Sequence, residues 1–336
     1  MLQSLSAIEM TDLNNIKAGF SKSARFETRD PAGFSFYAAF NEYAATQDQN
    51  EVGFKGSSVN PLPLVPFGSV MQFGNDYHPG FRVGINIDIP YDHFNFGAEY
   101  LWYRGGSKIK KTADSKSYFY SPVFIKSYGL ALSSLEADWH LSLNLVDLYL
   151  TRPYYSGRKL TVDPILGMKF FTIKQYFDLT ADVLGGAWDN QEAELKSKAW
   201  SLGPKIGCQS NYLMGKGFSL FGDLSTAILY TRYTSNNMRV SNFVSVPTAY
   251  SNNRFGTVRP LLDSGIGLAW KGYFGFGSGA YSWNKTFYVT LSAAYNFSLF
   301  FSQNVSRELV SVAGSKLSAP GNLYLQGISV GLDFIF

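Results

Sequence analysis

His140, Ser142 and Asn144 stand two apart, and two-apart residues share one face of a β-strand. On such a face an imidazole could serve as base to a hydroxyl nucleophile, so nucleophilic hydrolysis is the chemistry to weigh. The interleaved Trp139, Leu141 and Leu143 would take the apolar side, which puts His140 and Ser142 on the opposite, polar one. Ordinary polarity of a sheet face is the plainer reading. His78, His93 and His140 are the only histidines and lack ligand spacing, so no zinc site is expected. The Asp residues form no calcium-loop pattern, and there is no phosphate-binding Gly-Lys loop. No cofactor is therefore expected. What remains is a set of charges alternating with apolar residues: Arg82, Glu99, Asp138, Lys169, Lys205, Asp223, Arg259, Asp263, Lys271 and Asp333. All ten are read as facing one way, as a channel lining or as a salt-bridged filling.

The elements that carry these residues read as strands. Phe81, Val83, Ile85, Ile87 and Ile89 alternate with Arg82, Gly84, Asn86 and Asp88; Pro90 to His93 turns the chain. Phe94, Phe96, Ala98, Tyr100 and Trp102 then alternate with Asn95, Gly97 and Glu99. The same pattern predicts strands over 33–45, 135–150, 160–170, 200–212, 218–230, 258–270, 287–297 and 323–336. In 135–150 the alternation slips near Leu145–Val146, which predicts a bulge. Pro164 and Pro204 predict local irregularity. Tight turns, such as Gly215-Lys216-Gly217, alternate with long polar loops at about 46–79, 104–131, 174–198, 231–256 and 302–321.

Composition narrows the class. Aromatics reach 17% while charged residues are only 16%, below the usual share for a soluble domain. The net charge of +4 comes without a run of like charges, so nucleic-acid binding is not expected. The single cysteine, Cys208, excludes an internal disulfide and reads as an apolar filler. No apolar run is long enough for a spanning helix, whereas alternating strands can span as a closed barrel. The expectation is an all-β protein: an antiparallel transmembrane β-barrel of about ten strands, twelve being the alternative count, with short periplasmic turns and long extracellular loops. Residues 1–32 are read as a periplasmic tail and 33–336 as the barrel. Met1 to Met10 lacks a basic region followed by an apolar core, so no secretory signal is read there, which weighs against export. Outward aromatics near strand ends, namely Tyr100, Trp102, Trp200, Tyr212, Tyr230 and Trp270, suit membrane-interface girdles. Ser329, Gly331, Phe334 and Phe336 resemble the carboxy-terminal signal by which outer-membrane barrels are recognised for assembly.

Several ordered stretches carry a family resemblance: Pro79-Gly80-Phe81-Arg82-Val83-Gly84, Ala137-Asp138-Trp139-His140-Leu141 with Val146-Asp147-Leu148 and Tyr154-Tyr155, Gly203-Pro204-Lys205-Ile206-Gly207, and Gly215 to Gly222. From about Gly33 onward the chain resembles the pore-forming, major outer membrane protein-like porins of Legionella and chlamydia-related bacteria. The resemblance implies an abundant Gram-negative outer-membrane barrel acting as a general porin. It does not extend to a disulfide-linked envelope network, which Cys208 alone cannot build. The expected function is passive passage of small hydrophilic solutes. The alternatives are a plugged structural or adhesin barrel working through its extracellular loops and, less favoured, an outer-membrane phospholipase using Ser142. No enzyme activity is expected. Expected partners are membrane lipid, the barrel-assembly machinery and small solutes, with a homo-oligomer left open.

Overall fold

The computed structural model describes residues 33–48, 51–57, 69–89, 94–114, 117–121, 123, 131–152, 154–155, 159–183, 190–242, 246–275, 286–305 and 320–335. Among them are fourteen strands: β1 (Phe34–Gln47), β2 (Glu51–Ser57), β3 (Val70–Gln72), β4 (Tyr77–Ile89), β5 (Phe94–Thr112), β6 (Ser117–Tyr120), β7 (Leu132–Thr151), β8 (Tyr154–Tyr155), β9 (Leu160–Val183), β10 (Gln191–Gly215), β11 (Phe218–Asn242), β12 (Val246–Gly275), β13 (Thr286–Asn304) and β14 (Gly321–Ile335). Ten of them pair antiparallel in the order β1-β4-β5-β7-β9-β10-β11-β12-β13-β14, and β14 pairs back onto β1 from Ser35↔Ile335 to Gln47↔Leu323. The sheet is therefore a closed barrel of ten strands, which leaves no edge to be satisfied in lipid. The expected tail over 1–32, the turn at 90–93 and Phe336 lie outside the described residues.

One end carries tight turns. Gly215, Lys216 and Gly217 have φ of 108°, 54° and 81°, left-handed backbone that the two glycines adopt without strain. At the other end the strands run far past the wall. The expected loops at 174–198 and 231–256 are in large part ladder: β9 and β10 stay paired from Leu160↔Tyr212 to Ala181↔Gln191, and β11 meets β12 up to Asn242↔Val246. The sequence pattern hides this because the apolar face inverts. On β9, Leu166, Met168 and Phe170 point outward, while further on Phe171, Ile173, Leu179 and Ala181 point inward and are buried. A strand leaving the bilayer exchanges lipid for water outside, so its greasy residues move to the interior.

The same inversion corrects the reading of β7. Leu135, Ala137, Trp139, Leu141, Leu143 and Leu145 are all buried on the inner face, while Leu148 is exposed on the outer one. No bulge occurs at Leu145–Val146, where β7 keeps its register with both β5 and β9. Pro164 likewise leaves the register intact. Pro204 lacks an N–H, and the β10–β11 pairing skips Gly203 and Pro204 without shifting.

Strands β2, β3 and β6 add a small sheet at the long-strand end, joined to β7 through Phe119↔Leu132. Val52, Met71, Phe73, Phe119 and Val123 pack there against Leu132, Leu135 and Trp139. Phe73 lies 6.3 Å from the Trp139 ring and edge-on to Phe177 at 5.8 Å.

Candidate functional site in the barrel interior

The inward positions form two adjoining layers. In the first, charges from many strands meet inside the wall. Lys169 on β9 donates to Asp263 on β12 at 2.6 Å and to Asp147 on β7 at 2.9 Å. Lys205 on β10 donates to the same Asp147 oxygen at 3.1 Å. The side chains of Lys169 and Asp147 are only 3% and 6% exposed. Two ammonium groups on one carboxylate offset much of the cost of withdrawing all three from water. Arg82 on β4 pairs with Glu99 on β5 at 3.3 Å and donates to the Tyr43 hydroxyl on β1 at 3.3 Å. Asn296 on β13 donates to that hydroxyl at 3.1 Å and to Ser329 on β14 at 2.7 Å. Tyr149 donates to Asn86 at 2.8 Å, and Lys205 sits 5.8 Å from the Tyr149 ring centre.

Small residues make room for these long ones. A Cβ on Gly97 would stand 2.2 Å from Tyr149 Cζ and 2.6 Å from Asn86 Oδ1. One on Gly265 would stand 2.4 Å from an Asp223 oxygen.

The second layer is apolar and lies toward the long strands. Tyr43, Tyr103, Leu143, Phe171, Leu229 and Phe300, from β1, β5, β7, β9, β11 and β13, are each at most 2% exposed. Phe171 and Phe300 meet edge-to-face at 5.3 Å, although their strands stand four places apart around a ring of ten. Tyr103 donates to the Tyr43 carbonyl at 3.1 Å. Tyr43 joins the layers: its ring packs with Tyr103 while its hydroxyl enters the charged network.

Nine of the ten charges read from the sequence point inward. Arg82, Glu99, Lys169, Lys205 and Asp263 are linked as described. Asp223 lies beside Gly265, Arg259 stands 5.8 Å from the Tyr233 ring centre and Lys271 4.4 Å from that of Tyr288, and Asp333 occupies the inward register of β14. Asp138 does not belong with them. It lies on the outer face, 3.9 Å from Lys108 and 3.1 Å from His140. The residue missed is Asp147, which bridges both lysines. Unbroken odd-numbered alternation from Leu143 through Leu145 would have placed it inside.

The same correction moves His140 and Ser142 outside. The reason for placing them within the barrel, an outward Trp139, is overturned. His140 is 63% exposed and turned toward Asp138, and no hydrogen bond joins it to Ser142 among the described residues.

Outward aromatics border the apolar belt at both ends. Trp102 stacks on Phe81 at 5.4 Å, Tyr100 meets Phe81 at 6.0 Å and donates to Asn144 at 3.0 Å, and Trp200 meets Tyr230 at 5.9 Å. At the tight-turn end Tyr212 is exposed, and Trp270 is opposite Phe218. Between these borders the outer face carries Leu166, Ile206, Ile228, Val258 and Val330, all exposed. Cys208 is also exposed there.

A closed barrel with an apolar outer belt between aromatic borders defines the class of integral outer-membrane β-barrel proteins. The profile of the family described as Legionella pneumophila major outer membrane protein precursor matches residues 35–336, and the chain belongs to that family. It resides in the outer membrane, in contact with its lipid. No curated protein sequence matches the chain. Among solved structures, it is similar to the outer membrane protease OmpT from Escherichia coli, with 12% identity, a TM-score of 0.46, and coverage of 93% of this chain and 100% of that one. It is also similar to the Pseudomonas putida toluene transporter TodX, with 9% identity, a TM-score of 0.36, and coverage of 91% and 90%. The translocator domain of the autotransporter NalP from Neisseria meningitidis matches at 11% identity and a TM-score of 0.34, covering 99% of this chain and 96% of that one.

Proposed function

We propose that the barrel is closed and serves as a rigid outer-membrane component that presents its long-strand end outside the cell. The observation that carries this reading is the Phe171–Phe300 contact at 5.3 Å across the interior, set directly above the Lys169 network. Side chains fill small barrels of about eight strands, whereas wide barrels of about sixteen keep an aqueous channel, and ten strands stand nearer the first. Short turns mark the periplasmic end in barrels of this kind, so Phe73, Trp139 and Phe177 close the outer mouth.

Passive solute passage is the second reading. Its support is the mixed-sign interior, which suits weak ion selectivity, and Gln209, which is inward and exposed toward the tight-turn end. In that reading Arg82, Glu99, Lys169, Lys205, Asp223, Arg259, Asp263, Lys271 and Asp333 would line the path. Conductance across planar bilayers separates the two: a closed barrel gives no steady current, and a passive pore gives an ohmic one.

Catalysis is not part of either reading, because a hydrolase needs its base in reach of the nucleophile and His140 faces Asp138 instead. Ser142→Ala is expected to leave lipid turnover at background. Ser329, Gly331 and Phe334 are proposed as the signal for the assembly machinery. Their support is alternation: Ser329 and Gly331 lie on the inner face and Phe334 on the outer. A homo-oligomer would use the outer belt, and crosslinking in native membranes tests it.

A further inference from the structure

At the outer aromatic border and one step above it, the external face of β9–β12 carries a row of cations. Lys174 on β9 and Lys198 on β10 are direct cross-strand partners, and both are exposed. Arg232 on β11 pairs in register with Trp200, one outward step from Lys198. Arg254 on β12 stands one outward step above Gly256, the partner of Arg232, and both arginines are exposed. None of the four has an ion-pair partner among the described residues. Several cations elsewhere on this face do have partners: Lys108 and Lys110 hold Glu136, and Lys196 holds Glu194. Like charges directly opposite on a sheet are destabilising. A row that keeps them adjacent therefore points to an anion shared from outside.

The level of the row says which anion. Trp200 stands level with Arg232 and touches Tyr230, one step below, at 5.9 Å; the lipid-facing Leu202 and Val258 flank Tyr230, and Ile228 lies beneath. Aromatic borders sit at headgroup depth. The cations thus occupy the depth of the outer-leaflet headgroups, with the apolar strip below placed for acyl chains.

We propose that Lys174, Lys198, Arg232 and Arg254 form a site for the phosphate groups of an outer-leaflet glycolipid, with Trp200 and Tyr230 against its sugar and upper chains. Ammonium and guanidinium groups suit phosphate, the guanidinium by paired hydrogen bonds.

The test uses the folded full chain in neutral detergent, titrated with a diphosphorylated diglucosamine glycolipid and with its dephosphorylated form, reading tryptophan fluorescence. The expected result is binding of the phosphorylated lipid that weakens at least about tenfold when Lys174→Gln, Lys198→Gln, Arg232→Gln and Arg254→Gln are combined. Lys108→Gln with Lys110→Gln should leave that affinity unchanged. Equal binding of both lipids, equal binding by the combined variant, or displacement by equimolar inorganic phosphate would overturn the proposal. Heat-modifiable gel migration reports folding. Should the combined variant not fold, Lys198→Gln alone is expected to lower affinity about threefold while leaving or raising the thermal midpoint in lipid-free detergent. A fall in that midpoint would mean that Lys198 is structural and would overturn the site.

Discussion

Lys169 decides how the interior holds together. Among the described residues it is the one donor common to Asp147 on β7 and Asp263 on β12. Lys169→Ala would leave Asp147 with Lys205 and Asp263 without a paired cation among the described residues. Breaking such a network by removing one partner costs about 3–5 kcal/mol, readable as a lower urea midpoint of refolding in lipid vesicles. Replacing Lys169 by Arg should recover part of it. Gly97 makes the complementary point about shape. Its hydrogen lets the Tyr149 ring reach Asn86, so Gly97→Ala should cost about 1–3 kcal/mol through overpacking and should lower the same midpoint. Most of these residues were legible as inward charges from strict alternation. Asp147 was not, because the apolar run Leu135–Leu145 beside it looked like a lipid face.

The inversion at the element scale explains that misreading and the others like it. Each long strand has two apolar stretches on opposite faces, one for lipid and one for the interior of the extended wall. A reader who follows one face finds the membrane segment and then a loop. Ten strands were legible, but in β7 the lipid face was read at Leu135–Leu143, whose apolar side chains are buried, instead of at Leu148. Beyond the membrane, ladder such as Ile173↔Ala199 was not legible, since polar outward residues there resemble loop composition.

That outer polar face has its own electrostatics. Lys108 and Lys110 on β5 each approach Glu136 on β7 at 2.7 Å. Their hydrogen bonds lower its carboxyl to about 2. The folded value lies below the unfolded one, so the stabilisation is present above the usual carboxylate range and is lost as the pH falls toward about 2. These side chains lie at the surface, which keeps the effect small and salt-sensitive. An NMR titration of Glu136 should show the low value, and Lys108→Gln with Lys110→Gln should return it to the ordinary range. Asp178, on β9, is shifted upward by desolvation and then by Glu194, so Glu194→Gln should lower it.

For the whole molecule, the ring of ten strands and its packed interior belong to one design. Tyr43, Tyr103, Leu143, Phe171, Leu229 and Phe300, from six of the ten strands, fill the wall from within, as side chains do in small barrels. Truncating that filling has a cost: Phe171→Ala should destabilise the barrel by about 3–5 kcal/mol in the same refolding assay. The closed interior is the central claim, and single-barrel current in planar bilayers measures it most directly. Wild-type protein, shown to be folded by heat-modifiable migration, is expected to insert without steady conductance in molar salt. A stable ohmic conductance from the same preparation would contradict it.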